Sequence, residues 1–307
     1  MQESDVILEQ LNRSYPLKFD DIVFQREGGC RSYVVFSGTE RYFLKVVSPV
    51  FQDTVKQSLD ILIYLAQHDL SVPPVLHCNN GLPYLESNES DESRLFVLFG
   101  YVDGREPEAG EGLEEIGSLV GRLHDAMGGY PGKLTERDKP FFIDRYLNIL
   151  LQKKYPDSKL ARFREYGDEL WEKVKGLPRG YSHGDLHRGN LLRTLKGNDV
   201  LLDFDTSCWA YPSFDIATFC DETDYFQFDP EGYKRTTEAL ERFLRGYSKQ
   251  RSLTDAELRS FPDWIAIRHY QLQATIIELF GLDCVDEAFL DGQLDWLMRW
   301  REQCGSC

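Results

Sequence analysis

Residues 181 to 205 constrain this chain more than any other stretch: Tyr-Ser-His-Gly-Asp-Leu-His-Arg-Gly-Asn-Leu-Leu-Arg, a short turn, then Asp-Val-Leu-Leu-Asp-Phe-Asp. A polar loop holding His183, Asp185 and Asn190 runs into two apolar pieces, Leu191-Leu192 and Val200-Leu201-Leu202, joined through Lys196-Gly197-Asn198. Gly and Asn accept turn conformations that other residues resist, so the pattern predicts a β-hairpin. Asn190 enters its first strand and Asp203 leaves its second, which puts two oxygen ligands on one rigid support. A hard cation such as Mg2+ takes carboxylate and amide oxygens and keeps several waters, so one Asp, one Asn and a set of phosphates suffice to hold it. Asp185 is then left as a base, as phosphoryl transfer requires beside a metal-binding Asn.

Loop and hairpin together resemble the aminoglycoside phosphotransferase, choline kinase and homoserine kinase family of small-molecule kinases, which are relatives of the protein kinases. Their catalytic loop, His-x-Asp-x-x-x-x-Asn, is met by His183, Asp185 and Asn190. Their following metal-binding aspartate is met by Asp203, thirteen residues past Asn190 in Leu202-Asp203-Phe204-Asp205. The resemblance implies an α+β, protein-kinase-like bilobal fold. Residues 1–102 are the expected nucleotide-binding lobe, a small antiparallel sheet plus one helix, and residues 103–307 the mostly helical catalytic and substrate-binding lobe. It also implies an enzyme that moves the γ-phosphate of ATP, or of another nucleoside triphosphate, to a hydroxyl of a small molecule with Mg2+ as cofactor. Asp185 is the expected base, Asn190 and Asp203 the metal ligands, and His183 and Asp215 the supports of the catalytic loop. Asp205 is left between assisting the metal and holding the loop.

Upstream, Ile22-Val23-Phe24, Tyr33-Val-Val-Phe36 and Arg41 to Val47 alternate with turn residues as a three-stranded antiparallel meander would. Gly28 and Gly29 in its first turn let a backbone approach phosphate closely, and Ser32 adds a hydroxyl. Lys45 stands alone in an apolar strand, where a cation needs an anionic partner. This order of loop, strand, strand and lysine resembles the family's phosphate-covering loop and phosphate-pairing lysine. Residues 53 to 69 follow as an amphipathic helix, with Thr54 and Gln57 as its expected capping box. Family members place a Glu there to orient the lysine; no Glu occurs in this helix, which leaves Asp60 or Gln57. Leu95 to Phe99 reads as a buried strand, and Phe99, Gly100, Tyr101 and Val102 at its exit are the expected adenine-pocket residues.

Beyond residue 103 the apolar spacing is helical, at 113 to 127, 141 to 154, 158 to 175, 231 to 248, 254 to 260, 264 to 280 and 285 to 302, with Thr254 and Glu257 as a second capping box. His124, in the first of these, is expected to be structural. Between Asp221 and Glu231 five carboxylates crowd into eleven residues beside Tyr225, Phe226 and Phe228. Asp221, Glu222, Asp224 and Tyr225 are the expected acceptor-binding residues, for an acceptor that carries a positive charge.

Composition narrows the partners. A net charge of −16 argues against a nucleic-acid partner, whose phosphates demand basic patches. No window approaches the roughly 18 apolar residues of a membrane span, so a cytoplasmic monomer or homodimer is expected. Seven scattered cysteines fit reduced, mostly buried thiols. Two rival readings share the same motifs. A bacterial stress-response protein Ser/Thr kinase is disfavoured by the missing Asp-Phe-Gly to Ala-Pro-Glu segment. A nucleotide-binding pseudokinase is disfavoured by the joint presence of Lys45, Asp185, Asn190 and Asp203.

Overall fold

A computed structural model of the protein describes residues 3–27, 30–47, 49–87 and 94–305. In chain order the first half contains α1 (Glu3–Ser14), β1 (Asp21–Arg26), β2 (Cys30–Ser37), β3 (Glu40–Val47), α2 (Gln52–Gln67), β4 (Leu85–Ser87), β5 (Arg94–Gly100), β6 (Gly104–Arg105) and α3 (Leu113–Met127). Next come α4 (Arg145–Gln152), entered through a π-turn at Pro140–Asp144, α5 (Asp157–Val174), β7 (Gly180–Ser182), β8 (Leu191–Thr194), β9 (Asp199–Leu201) and β10 (Cys208–Ala210). The chain closes with α6 (Pro212–Cys220), α7 (Gly232–Tyr247), α8 (Asp255–Arg259), α9 (Phe261–Phe280) and α10 (Glu287–Gly305).

Contacts divide the molecule into two compact units. The first comprises Met1–Pro107, Tyr130–Gly132 and Gly189–Thr206; the second comprises Glu108–Gly129, Lys133–Arg188 and Ser207–Cys307. The partition read from the sequence runs straight along the chain at 102, whereas the 189–206 hairpin clusters with the N-terminal residues.

In the first unit an antiparallel sheet is ordered β1-β2-β3-β5-β4. Side chains alternate across such a sheet. Tyr33, Val35, Leu44 and Val46 on one face meet Ile7 and Leu11 of α1 in a buried cluster. Lys45 stands on the other face, in register with Ser32 on one side and Val97 on the other. The hairpin forms as its turn chemistry requires: Gly197 adopts φ +81°, and Arg193 and Asp199 close the strands with two 2.8 Å hydrogen bonds, the carboxylate buried. Helix α2 departs from expectation at its start. Phe51 is the N-cap with no side-chain cap, and the Thr54 hydroxyl donates back to the Phe51 carbonyl at 2.9 Å, so no capping box forms there.

In the second unit the apolar stripe of α3 is buried at Leu113, Ile116, Val120, Leu123 and Met127. The box at the start of α8 is complete, with the Thr254 hydroxyl accepting from Glu257 N and the Glu257 carboxylate accepting from Thr254 N. Helix α9 is apolar nearly all round and buried on every side for most of its length, as a core helix must be. Helices α3 and α7 touch through glycines: a β-carbon on Gly246 would lie 1.7 Å from the Glu114 carbonyl oxygen, and one on Gly117 would lie 2.1 Å from that of Phe243. Gly246→Ala must therefore push the helices apart. The expected cost is about 3 kcal/mol, the upper end for overpacking, read as a lower midpoint in chemical denaturation.

Among the described residues no disulfide joins the cysteines; Cys78, Cys208 and Cys220 are buried, Cys30 and Cys304 half-buried and Cys284 exposed. Cys307 lies outside the described residues. No described helix is long and apolar enough to cross a membrane.

Candidate active site

Lys45 organises the candidate site residues of the first unit. Its side chain is 17% exposed and forms ion pairs with Asp203, at 3.1 Å, and with Asp205. Burial pushes the ammonium pKa down, but the two carboxylates outweigh it and hold the group charged well above the usual lysine range. The partner of Lys45 is thus neither Asp60 nor another charge from α2. Asp60 is exposed, and α2 contributes instead the buried Ser58 hydroxyl, which donates to Asp205 Oδ1 at 2.9 Å. Asp205 belongs to the 3₁₀ turn Phe204–Thr206, directly after Asp203.

Asp203 has φ +55°, a left-handed conformation that an Asp tolerates better than most residues. Asn190 is buried at the end of the 3₁₀ turn Arg188–Asn190, and its carbonyl accepts from Leu202 N at 2.9 Å. That bond ties Asn190 to the residue before Asp203. Among the described residues no three His, Cys, Asp or Glu side chains gather as a metal cluster. One amide and one or two carboxylates on this hairpin nonetheless match the donor set of a hard cation that keeps waters and phosphates as its other ligands.

Beside Lys45 on the neighbouring strand, the Ser32 hydroxyl is buried and has no hydrogen-bond partner among the described residues. A buried polar atom without a partner is costly, and an anion beside Lys45 would satisfy it. Gly28 and Gly29 lie outside the described residues. At the strand exit Phe99 is buried, Val102 half-buried and Tyr101 exposed, with the Arg41 guanidinium 4.3 Å from the Tyr101 ring centroid. The amides of Gly100 and Tyr101 donate to the carbonyls of Pro74, at 2.8 Å, and Arg41, at 3.3 Å.

In the second unit the loop around Asp185 is built on Asp215. This fully buried carboxylate accepts from Ser182 Oγ at 2.7 Å, His183 N at 2.6 Å and Gly184 N at 3.0 Å, and lies 3.1 Å from His124 Nε2. The other ring nitrogen of His124 meets the Tyr247 hydroxyl at 2.9 Å, so His124 is part of the scaffold. His183 is fully buried. Asp185 itself is 32% exposed. Partial burial raises its pKa, but the neighbouring imidazole of His187 and the charge of Arg268 more than offset this and hold the carboxyl well below the usual carboxylate range.

The residues expected to bind the acceptor are all engaged internally. Asp221 accepts from Thr223 N and from the Tyr225 hydroxyl, and burial raises its pKa above the ordinary value despite those bonds. Glu222 pairs with Arg188 at 3.2 Å. Asp224 accepts from the amides of Phe226, at 2.8 Å, and Gln227, at 3.2 Å, as a loop-closing Asp does. Two side chains beside Asp185 were absent from the sequence reading, His187 and Arg268. For Arg268 a signal existed: a lone cation inside the apolar run Trp264-Ile-Ala-Ile-Arg-His-Tyr270 must find an anion.

The model of the phosphotransferase enzyme family (APH) matches residues 24–260. Amicoumacin kinase of Bacillus subtilis (strain 168) is 24% identical over 304 residues, covering 93% of this chain and 88% of that protein. Two solved structures share the fold. An amicoumacin kinase in complex with AMP-PNP, Ca2+ and Ami superposes with TM-score 0.77 at 21% identity, covering 98% of this chain and 94% of the other. A microcompartment-associated aminopropanol kinase reaches TM-score 0.78 at 20% identity, covering 98% of each chain. With its small antiparallel sheet, helical second unit and family match over most of its length, the chain belongs to the phosphotransferase enzyme family and is a kinase-like phosphotransferase acting on a hydroxyl acceptor.

Proposed function

We propose that the protein transfers the γ-phosphate of ATP to a hydroxyl of a small molecule, with Mg2+ as the metal. The observation that carries this is the set around Lys45: its ion pair with Asp203, the tie between Asn190 and Leu202, and the buried Ser32 hydroxyl without a partner. Use of a nucleotide and a divalent cation is further supported by the AMP-PNP and Ca2+ bound to the related amicoumacin kinase.

Asn190 and Asp203 would hold the metal, which supplies positive charge to the phosphates and stabilises the charge that develops on them during transfer. Lys45 and Ser32 bind phosphate oxygens, a role that the sequence also assigns to Gly28 and Gly29. Phe99, Gly100, Tyr101 and Val102 border the base, through side chains and carbonyls rather than through the two committed amides. Asp185 accepts the proton of the acceptor hydroxyl as its oxygen bonds to phosphorus, and the loop is held for this by Asp215, with His183 packed inside it.

For the acceptor the reading is an amino alcohol or another hydroxylated amine. It is supported by the negative balance of the chain and by a related kinase named for aminopropanol, which carries both an amine and a hydroxyl. Asp221, Glu222, Asp224 and Tyr225 would serve it as a shaped wall, since their polar groups are already bonded. The decisive experiment is phosphate transfer from radiolabelled ATP across a panel of amino alcohols, hydroxy amino acids, aminoglycosides and neutral sugars, with and without Mg2+. Transfer to amines above neutral alcohols is expected; a neutral sugar as best acceptor overturns the amine, and no transfer to any member overturns the function.

The role of Asp205 follows from its contacts. It steadies Lys45, and Ser58 steadies Asp205. Ser58→Ala removes one neutral donor to a carboxylate, a loss of about 1 kcal/mol, so the KM for ATP is expected to rise about fivefold while the acceptor KM stays put. Initial-rate kinetics at saturating acceptor measure it.

A further inference from the structure

Arg268 lies on the buried face of α9, its side chain 7% exposed. Its Nη2 donates to Asp185 Oδ1 at 2.6 Å and its Nη1 to the side-chain oxygen of Gln271, itself buried one helical turn on. The charge of Arg268 also reaches Asp221 and Tyr225, so the carboxylate expected to act as base and the first residues of the acidic segment share one guanidinium. On the opposite side of the carboxylate, the half-buried His187 places Nε2 3.6 Å from Asp185 Oδ2. A guanidinium is planar and always charged, and a buried one is costly unless paired. Gln271 fixes its plane, which fixes the oxygen it holds.

We infer that Arg268 is the positioning residue of the transfer reaction: by holding Oδ1 it sets the plane of the Asp185 carboxylate that takes the acceptor proton. This rests on the reading of Asp185 as base. The step balances simply. The acceptor O–H bond breaks, its proton passes to the Asp185 carboxylate, its oxygen bonds to the γ-phosphorus, and the bond from that phosphorus to the bridging oxygen breaks to release the nucleoside diphosphate. The proton leaves Asp185 for solvent before the next turnover. Arg268 touches neither reacting atom; it acts through Asp185.

A consequence in pH follows. The groups facing Asp185 are Arg268 from α9 and His187 from its own loop, with Asp221 and Tyr225 beyond Arg268. Together Arg268 and His187 keep the carboxylate ionised to unusually low pH, so activity persists there. Without the guanidinium the carboxyl protonates at higher pH, and the acid limb of kcat rises by about one pH unit or more.

The test is a set of variants measured as the full-length protein. Arg268→Gln is expected to lower kcat at neutral pH at least about tenfold, raise the acid limb, and leave the KM for ATP unchanged. Arg268→Lys restores the charge without the fork, so its acid limb returns toward the parent while kcat recovers only in part. His187→Gln, run in parallel, separates the contribution of the second group facing the carboxyl from that of Arg268. Thermal melts and ATP binding establish that each variant is folded; should Arg268→Gln fail to fold, Arg268→Lys with the same pH series decides. In an Asp185→Asn background, Arg268→Gln should change the residual rate little, because the residue through which it acts is gone.

An unchanged kcat and pH profile in Arg268→Gln overturns the inference. So does a rise in acceptor KM with kcat intact, which makes the arginine an acceptor ligand. A fully active Asp185→Asn would instead overturn the base beneath it, so the two failures are distinguishable.

Discussion

Asp185→Asn is expected to lower kcat at least about 100-fold, the usual scale for loss of a general base, while Mg·ATP binding stays at the parent level. The amide keeps the shape of the side chain and still accepts one hydrogen bond from Arg268, so the loop built on Asp215 has no reason to move. What it loses is the charge that draws the acceptor proton. The loss should appear equally in kcat and in kcat/KM, because the interaction is made only as the hydroxyl gives up its proton. Single-turnover transfer together with nucleotide titration measures both halves. Near-parental turnover removes Asp185 from the reaction.

The second large effect is expected at the hairpin. Asp203→Ala should remove the Mg2+-dependent part of ATP binding at least about tenfold more severely than Asn190→Ala, because a carboxylate brings charge to a dication and an amide brings only a dipole. Lys45 retains Asp205 in that variant and can still meet phosphate, so weak metal-independent nucleotide binding should survive. Calorimetric titration of ATP with Mg2+ and with EDTA separates the two contributions. Equal Mg·ATP affinity in both variants and the parent would place the metal elsewhere.

Much of this was legible in the sequence because it is local. The hairpin was written in Gly197 and Asn198 between two apolar pieces, the strand of Lys45 in a cation with apolar neighbours, and the α8 cap in Thr254 and Glu257. What was not legible lies across long separations. Asp205 meets Lys45 from 160 positions away and Arg268 meets Asp185 from 83, and no period or composition links such pairs. The Thr54 cap failed for a different reason: the helix begins at Gln52, so that hydroxyl is already inside the first turn and bonds backwards to Phe51. The acidic run 221–231 reads in sequence as a site for a cationic acceptor, yet short-range hydrogen bonds from Thr223, Tyr225, Phe226 and Gln227 engage Asp221 and Asp224. Composition counts charges and cannot say which are already engaged.

In protein kinases the lysine is oriented by an acid on the helix beside the sheet, and moving that helix switches the enzyme. Here α2 offers Lys45 no acid; its two carboxylates are Asp203 and, in the short turn directly after it, Asp205, and the helix supplies only a neutral hydroxyl. Displacing α2 would therefore cost the lysine no ion pair. A shift of α2 would instead withdraw the Ser58 hydroxyl from Asp205 and leave both carboxylates on the lysine.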